Sequence, residues 1–224
     1  MKKTFVKKTV RASVLVAMAA TMVIGTSAMP AFAASDKQLA KASTLQESDL
    51  SGTGWSSSPH TEHKDSTQPS CKATNAANKA AKKSGAHAPD FDNSDGASVT
   101  NTVYVFPNVK QAKAYLATFK LPGALECFQK GLDDSVATSQ GATAAGAALN
   151  VSGGPADDGV GFQGTLGNIP TGATPPTVDL YVQAVAFRVG RGVTGITTSN
   201  PGAAYPSTVN LATTAIARLK KNLK

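Results

Sequence analysis

Apolar and polar positions alternate with two different periods along this chain. A period of two runs through Val99 to Phe106, where Val99, Val103 and Val105 take one side and Thr100, Thr102, Tyr104 and Phe106 the other. That alternation, with its β-branched and aromatic residues, predicts a strand. Pro107 ends it, and Asn108 with Gln111 three residues on has capping-box spacing for a helix. Val109, Ala112, Tyr115, Leu116 and Phe119 form the apolar stripe of that helix, leaving Lys110, Lys113 and Lys120 to solvent. After Pro122 and Gly123, helical spacing resumes at Leu121, Leu125, Phe128 and Leu132, with Cys127 on the border of that face.

The second half reads mostly as sheet. Ala147, Leu149 and Val151 alternate with polar or small neighbours, as do Val160, Phe162 and Leu166. Residues 169–176 read as a Pro/Gly/Thr loop. Val178 to Val189 gives the longest strand pattern, with Val178, Leu180, Val182, Ala184 and Ala186 facing one way and Tyr181, Gln183, Val185 and Phe187 the other. Gly190-Arg191 then predicts a tight hairpin into residues 192–198. Ser207 is placed to cap a last helix whose stripe is Leu211, Ala215, Ile216 and Leu219, and whose basic end complements the helix dipole. Upstream, residues 36–50 have helical spacing, residues 72–83 predict a short helix, residues 56–70 read as a mobile loop, and residues 84–96 as a connection. Hairpins outnumber crossovers, so the expected fold class is α+β: a twisted antiparallel sheet with helices packed mainly on one face, an α/β sandwich.

The first 33 residues change how composition is read. Lys2, Lys3, Lys7, Lys8 and Arg11 precede an apolar run from Ala12 to Gly25, and Ala31-Phe32-Ala33 is an A-x-A cleavage signal. This predicts a secretory signal peptide cut between Ala33 and Ala34, too short to span a membrane, followed by one domain over residues 34–224. The chain has 22 basic and 14 acidic residues, a net of +8; five of the basic residues lie in the leader, which leaves 17 against 14, a net of +3. The basic character therefore belongs largely to export and does not point to nucleic acid. Two cysteines in an exported chain predict a Cys71–Cys127 disulfide.

Candidate chemistry is sparse. Gly159, Gly161 and Gly164 match G-x-G-x-x-G, but they sit in a strand pattern with no helix after them, so no dinucleotide cofactor is expected. His60, Glu62, His63 and Asp65 could meet a metal by chance, but the spacing is not that of a zinc protease, and no metal site is expected. No G-x-S-x-G elbow is present, and all three histidines fall between His60 and His87, outside the strand ends. The expectation is a non-enzyme, with an unrecognised hydrolase as a remote alternative. Trp55, Tyr104, Tyr181 and Phe187 are the candidate ligand-face residues, on the premise that one sheet face stays open.

The order of SDLSGTGW (Ser48 to Trp55), a cysteine, SVTNTVYVFPNVKQAKAYLATF (Ser98 to Phe119), a second cysteine, a long strand into R-x-G-R-G and a basic-ended helix resembles the extracellular sensor-like domains of actinobacteria. These occur on receptor serine/threonine kinases of the PknH type and as free secreted proteins or lipoproteins. The resemblance spans about Leu39 to Leu223. It implies an α/β sandwich of PsbP-like outline with a cleft for an unknown ligand, and carries over no catalytic residue. Here there are two cysteines where the kinase-linked domains usually have two bridges, and neither a kinase nor a transmembrane segment is present. The expected function is a secreted, monomeric, ligand- or partner-binding module at the cell envelope. The alternative is a wall-associated structural or adhesion protein held by Arg218, Lys220, Lys221 and Lys224.

Overall fold

The strand predicted at residues 99–106 lies in the middle of the observed architecture. The computed structural model describes residues 34–61, 67–151, 156–171, 177–205 and 208–224. The leader, its cleavage point at Ala33, Glu62, His63, Asp65 and the proposed cap Ser207 lie outside the described residues. In chain order the elements are α1 (Asp36–Ala42), β1 (Trp55–Ser58), α2 (Lys72–Ala81), β2 (Gly85–His87), β3 (Asp90–Asn93), β4 (Ser98–Val105), α3 (Val109–Thr118), α4 (Pro122–Val136), β5 (Thr143–Leu149), β6 (Asp158–Pro170), β7 (Thr177–Val189), β8 (Gly192–Pro201) and α5 (Thr208–Asn222).

The eight strands form one antiparallel sheet in the order β1-β3-β4-β8-β7-β6-β5, with β2 also pairing β4. This is the expected α+β class. The last three strands form a meander through hairpins, and β8 closes back onto β4, where Tyr104 pairs with Val193. At the β7–β8 turn Gly190 adopts φ +54°, which favours glycine. Arg191 pins that turn to its surroundings, donating to Asp36 at 2.6 Å and to the Phe106 carbonyl at 2.8 Å.

Side chains of alternating parity divide the core into layers. Val99, Val103 and Val105 of β4, Val185 of β7 and Ile196 of β8 meet α1 and α5 on one face; the expected stripe Leu211, Ala215, Ile216 and Leu219 is fully buried there. Tyr104, Phe106, Ala112, Tyr115 and Leu116 pack together on the opposite face under α2 and α3. Beside them, Phe128, Leu132 and Val136 of α4 meet Leu166, Leu180 and Val182. Three helices therefore lie on one face and two on the other.

Four segments differ from their sequence reading. The helix expected over residues 36–50 stops at Ala42, and only a 3-10 turn at Glu47–Asp49 follows it. The stretch taken as a loop from residue 56 begins as an edge strand, β1, whose Trp55–Ser58 pair with Asp90–Asn93. A run of three serines has no apolar alternation, so only the pairing reveals it. Residues 84–96 contain β2 and β3 rather than a plain connection. Strand β6 continues into the first two residues of the expected loop, as far as Pro170, by a bulge between Leu166 and Ile169, with Asn168 at φ 56°. The bulge switches parity, so that Ile169 returns to the layer that holds Leu166.

The glycines of β6 allow close approach. A Cβ on Gly164 would lie 2.4 Å from Leu132 Cδ1 and 2.9 Å from the Ala145 carbonyl oxygen. Leu132 is fully buried and has no room to give way. Gly164→Ala is expected to cost about 2 kcal/mol by overpacking and to lower Tm by roughly 4–8 °C, measured by calorimetry; an unchanged Tm would show that α4 can ride outward freely.

Candidate functional site

Where α3 hands over to α4, the chain turns sharply through Phe119, Lys120 and Leu121 before Pro122 opens α4 at its first position. Proline suits that position, since its missing N–H would have no partner in the first helical turn. The turn leaves Leu121 about half exposed, one of few large apolar side chains so placed among the described residues. Facing it are the end of β5 with the residues just after it, from Ala148 to Val151, and the start of β6 with the residue just before it, from Asp157 to Phe162. Between them lies a cavity of about 700 Å³, within the size range of small-molecule sites.

Its walls are mostly apolar. Phe119, Leu121, Leu125, Leu149, Val160 and Phe162 are among the lining residues, and Phe162 stacks on Phe128 with ring centroids 5.4 Å apart. Gly159 and Gly161 have no Cβ where Val151 and Phe187 crowd in, with positions for a Cβ lying 2.7–3.1 Å from those side chains. The G-x-G-x-x-G stretch therefore serves close packing inside β6, and no helix follows it.

The charged residues of the lining, Lys120, Asp157 and Asp158, are all held in ion pairs. Lys120 meets Asp158 at 2.6 Å, and Arg188 meets Asp157 at 2.9 Å. The hydrogen bond from Lys120 holds the Asp158 carboxyl below its ordinary range, helped by the Gly159 N–H. Both partners of the Lys120 pair are well exposed, so this bridge contributes little to stability. Asp157 also accepts from the Gly190 N–H at 2.7 Å, which ties the cavity wall to the β7–β8 turn.

The four candidate ligand-face residues do not share a face. Phe187 pairs with Thr194 and Tyr104 with Val193, and adjacent residues of β8 point to opposite sides. Tyr104 is sealed among Phe106 and Tyr115 beneath α3. Tyr115 donates to Asn78 at 2.9 Å, and burial pushes its phenol far up. Trp55 sits at the β1 edge, edge-on to Tyr205 at 6.1 Å, with its indole N–H on the Ser51 carbonyl. Tyr181 lies half-buried between Thr165 and Asn200. Only Phe187 of the four lines the cavity. Leu121, Leu149 and Val160 were legible only as members of periodic stripes, because the cavity arises where two elements end rather than along one.

Cys71 and Cys127 are bridged, joining the start of α2 to α4. Among the described residues no set of three or more His, Cys, Asp or Glu is arranged to hold a metal ion. No helix among them is long and apolar enough to cross a membrane. Of the basic C-terminal residues, Arg218 is engaged with Asp49 at 2.8 Å.

The class defined by this arrangement is an open antiparallel sheet with helices on both faces. In that class, the structure is similar to the crystal structure of the extracellular domain of PknH from Mycobacterium tuberculosis, with a TM-score of 0.50 and 13% sequence identity, over 83% of this chain and 96% of that chain. At that identity the likeness is one of fold. No protein-family model matches the chain, and no curated protein matches it.

Proposed function

We propose that the chain is a secreted, non-catalytic, sensor-like module of the cell envelope, working as a monomer that takes a small apolar or zwitterionic ligand between the α3–α4 turn and the β5–β6 ends. The observation that carries this reading is the cavity of about 700 Å³, mostly apolar in its lining and with its charged lining residues ion-paired. The lining acids Asp158 and Asp157 are each neutralised by a base, Lys120 in the lining and Arg188 behind it, so no net charge selects a purely anionic or cationic ligand. The fold shared with a known extracellular domain supports work outside the membrane.

The test is a thermal-shift screen of residues 34–224 against fatty acids, isoprenoids and zwitterionic amphiphiles. A ligand at a hundred times its Kd adds about 2.7 kcal/mol, an easily read rise in Tm. Leu121→Asp, at a half-exposed position, is expected to leave the unliganded Tm within about 2 °C while abolishing the shift. A panel without any shift, or a shift that survives this substitution unchanged, counts against the reading. Light scattering of the eluted protein checks the monomer.

A further inference from the structure

Two histidines that look unrelated in the sequence meet at one corner of the sheet. His60 follows β1, His87 ends β2, and their imidazoles stack with centroids 4.1 Å apart and planes within 4°. His60 Nδ1 lies 2.6 Å from Asp90 Oδ1, and the next backbone N–H, of Thr61, donates to Asp90 Oδ2 at 3.0 Å. His87 Nδ1 lies 2.9 Å from Thr102 Oγ1. Each ring is thus held through Nδ1, while both Nε2 atoms are buried without a hydrogen-bond partner among the described residues. Imidazole lone pairs lie in the ring plane, so two parallel rings do not converge on a common metal ion. The arrangement suits two neutral rings, or one ring with its proton held against Asp90. It does not suit two cations face to face with buried, unsolvated Nε2 positions.

We propose that this stacked pair is an acid-sensitive fastening that holds β1 on the sheet near neutral pH and releases it when a proton reaches His87. The strand it secures lies at one edge of the sheet and pairs with β3. Its release bares the edge of β3 at Asp90–Asn93, a row of backbone groups open to pairing. The charges acting on His87 are His60, Asp90 of β3 and Lys82 of the turn after α2; Asp90 favours the proton and the other two oppose it. Helix α1 packs on the opposite face of β2, over Ala86. Burial first, and His60 second, push His87 down from 6.5 to about 4. A depressed value means that the fastened state binds fewer protons than the released one. Its advantage is complete above about pH 6.5 and is shed as pH falls toward about 4.

Trp55 is the chain's single tryptophan and lies on β1, five residues before His60, which provides an internal reporter. For residues 34–224, amide exchange at Ser56–Ser58, corrected for intrinsic pH dependence, is expected to lose at least about tenfold protection between pH 7.5 and 4.5. Trp55 emission should shift in parallel, with far-UV circular dichroism nearly constant. His87→Phe keeps a flat ring but cannot take the proton, so β1 should stay protected at pH 4.5. Proton NMR of the histidine Cε1–H signals needs no variant; one midpoint well below pH 5.5 is expected. Protection at β1 that does not change with pH, an identical transition in His87→Phe, or three histidines all titrating near pH 6.5 would each overturn the proposal.

Discussion

Removing the disulfide as the double variant Cys71→Ala/Cys127→Ala is expected to lower stability by about 4 kcal/mol. The bridge closes a loop with a sequence separation of 56, so most of the effect falls on the unfolded chain, which regains the freedom that the link removes. For a domain of this size the loss corresponds to a fall in Tm of roughly 8–16 °C. The denaturant m-value should rise, because the uncrosslinked chain exposes more surface when it unfolds. The double alanine variant is preferable to a single serine, since Cys71 is fully buried and a lone hydroxyl there would add a desolvation cost of its own. The bridge also bears on the cavity. It anchors α4, whose first turn supplies Pro122 and Leu125 to the wall. The ligand-induced thermal shift should therefore shrink in the double variant beyond what its lower Tm alone brings. A stability change under about 1 kcal/mol would mean that the unfolded chain is already compact without the link.

Periodicity reached the scaffold more surely than the site. The stripes of α3 and α5, the Asn108 cap, the β7–β8 hairpin and the cysteine pair could be read because each depends on residues close in sequence, or on chemistry with one partner available. Face assignments were harder. Parity places Tyr104 and Phe187 on definite sides of their own strands, but only the register through β8 shows that those sides are opposite. The same limit hid the second helical layer, since α1 and α5 lie at the two ends of the described chain and meet on one face only after the sheet has formed. The glycines of β6 were legible as members of a strand, but not the neighbours they admit; Leu132 and Val151 are the answers. The histidines read as lying outside the strand ends, whereas His87 closes β2 and its stacking partner is 27 positions away in the segment after β1.

Asn101 shows how a single polar residue in an apolar row can be the informative one, and its replacement is the other change with a large expected effect. In β4 it shares parity with Val99, Val103 and Val105, so alternation alone places it in the core, and it is indeed buried there. Its amide satisfies three groups at once. The side-chain oxygen accepts from the Leu45 N–H at 2.8 Å, and the side-chain nitrogen donates to Thr194 Oγ1 at 3.0 Å and to the Gly195 carbonyl at 2.8 Å. Leucine at this position would be the better match to the periodic pattern. Asn101→Leu is nonetheless expected to destabilise by about 3 kcal/mol, because a buried donor left without an acceptor costs roughly 1–3 kcal/mol and two acceptors lose partners as well. Thr194→Val removes only one of the three contacts and should cost about 1 kcal/mol. Asn101→Asp keeps the acceptor for Leu45 but faces two oxygens with a charge, so it should be worse than leucine at neutral pH and partly recover in acid, where the carboxyl can donate. Denaturation of the three variants gives the ranking, and exchange at the Leu45 amide locates the effect. If Asn101→Leu matched the parent protein in both, the segment after α1 would be held by the burial of Leu45 itself rather than by the hydrogen bond that positions it.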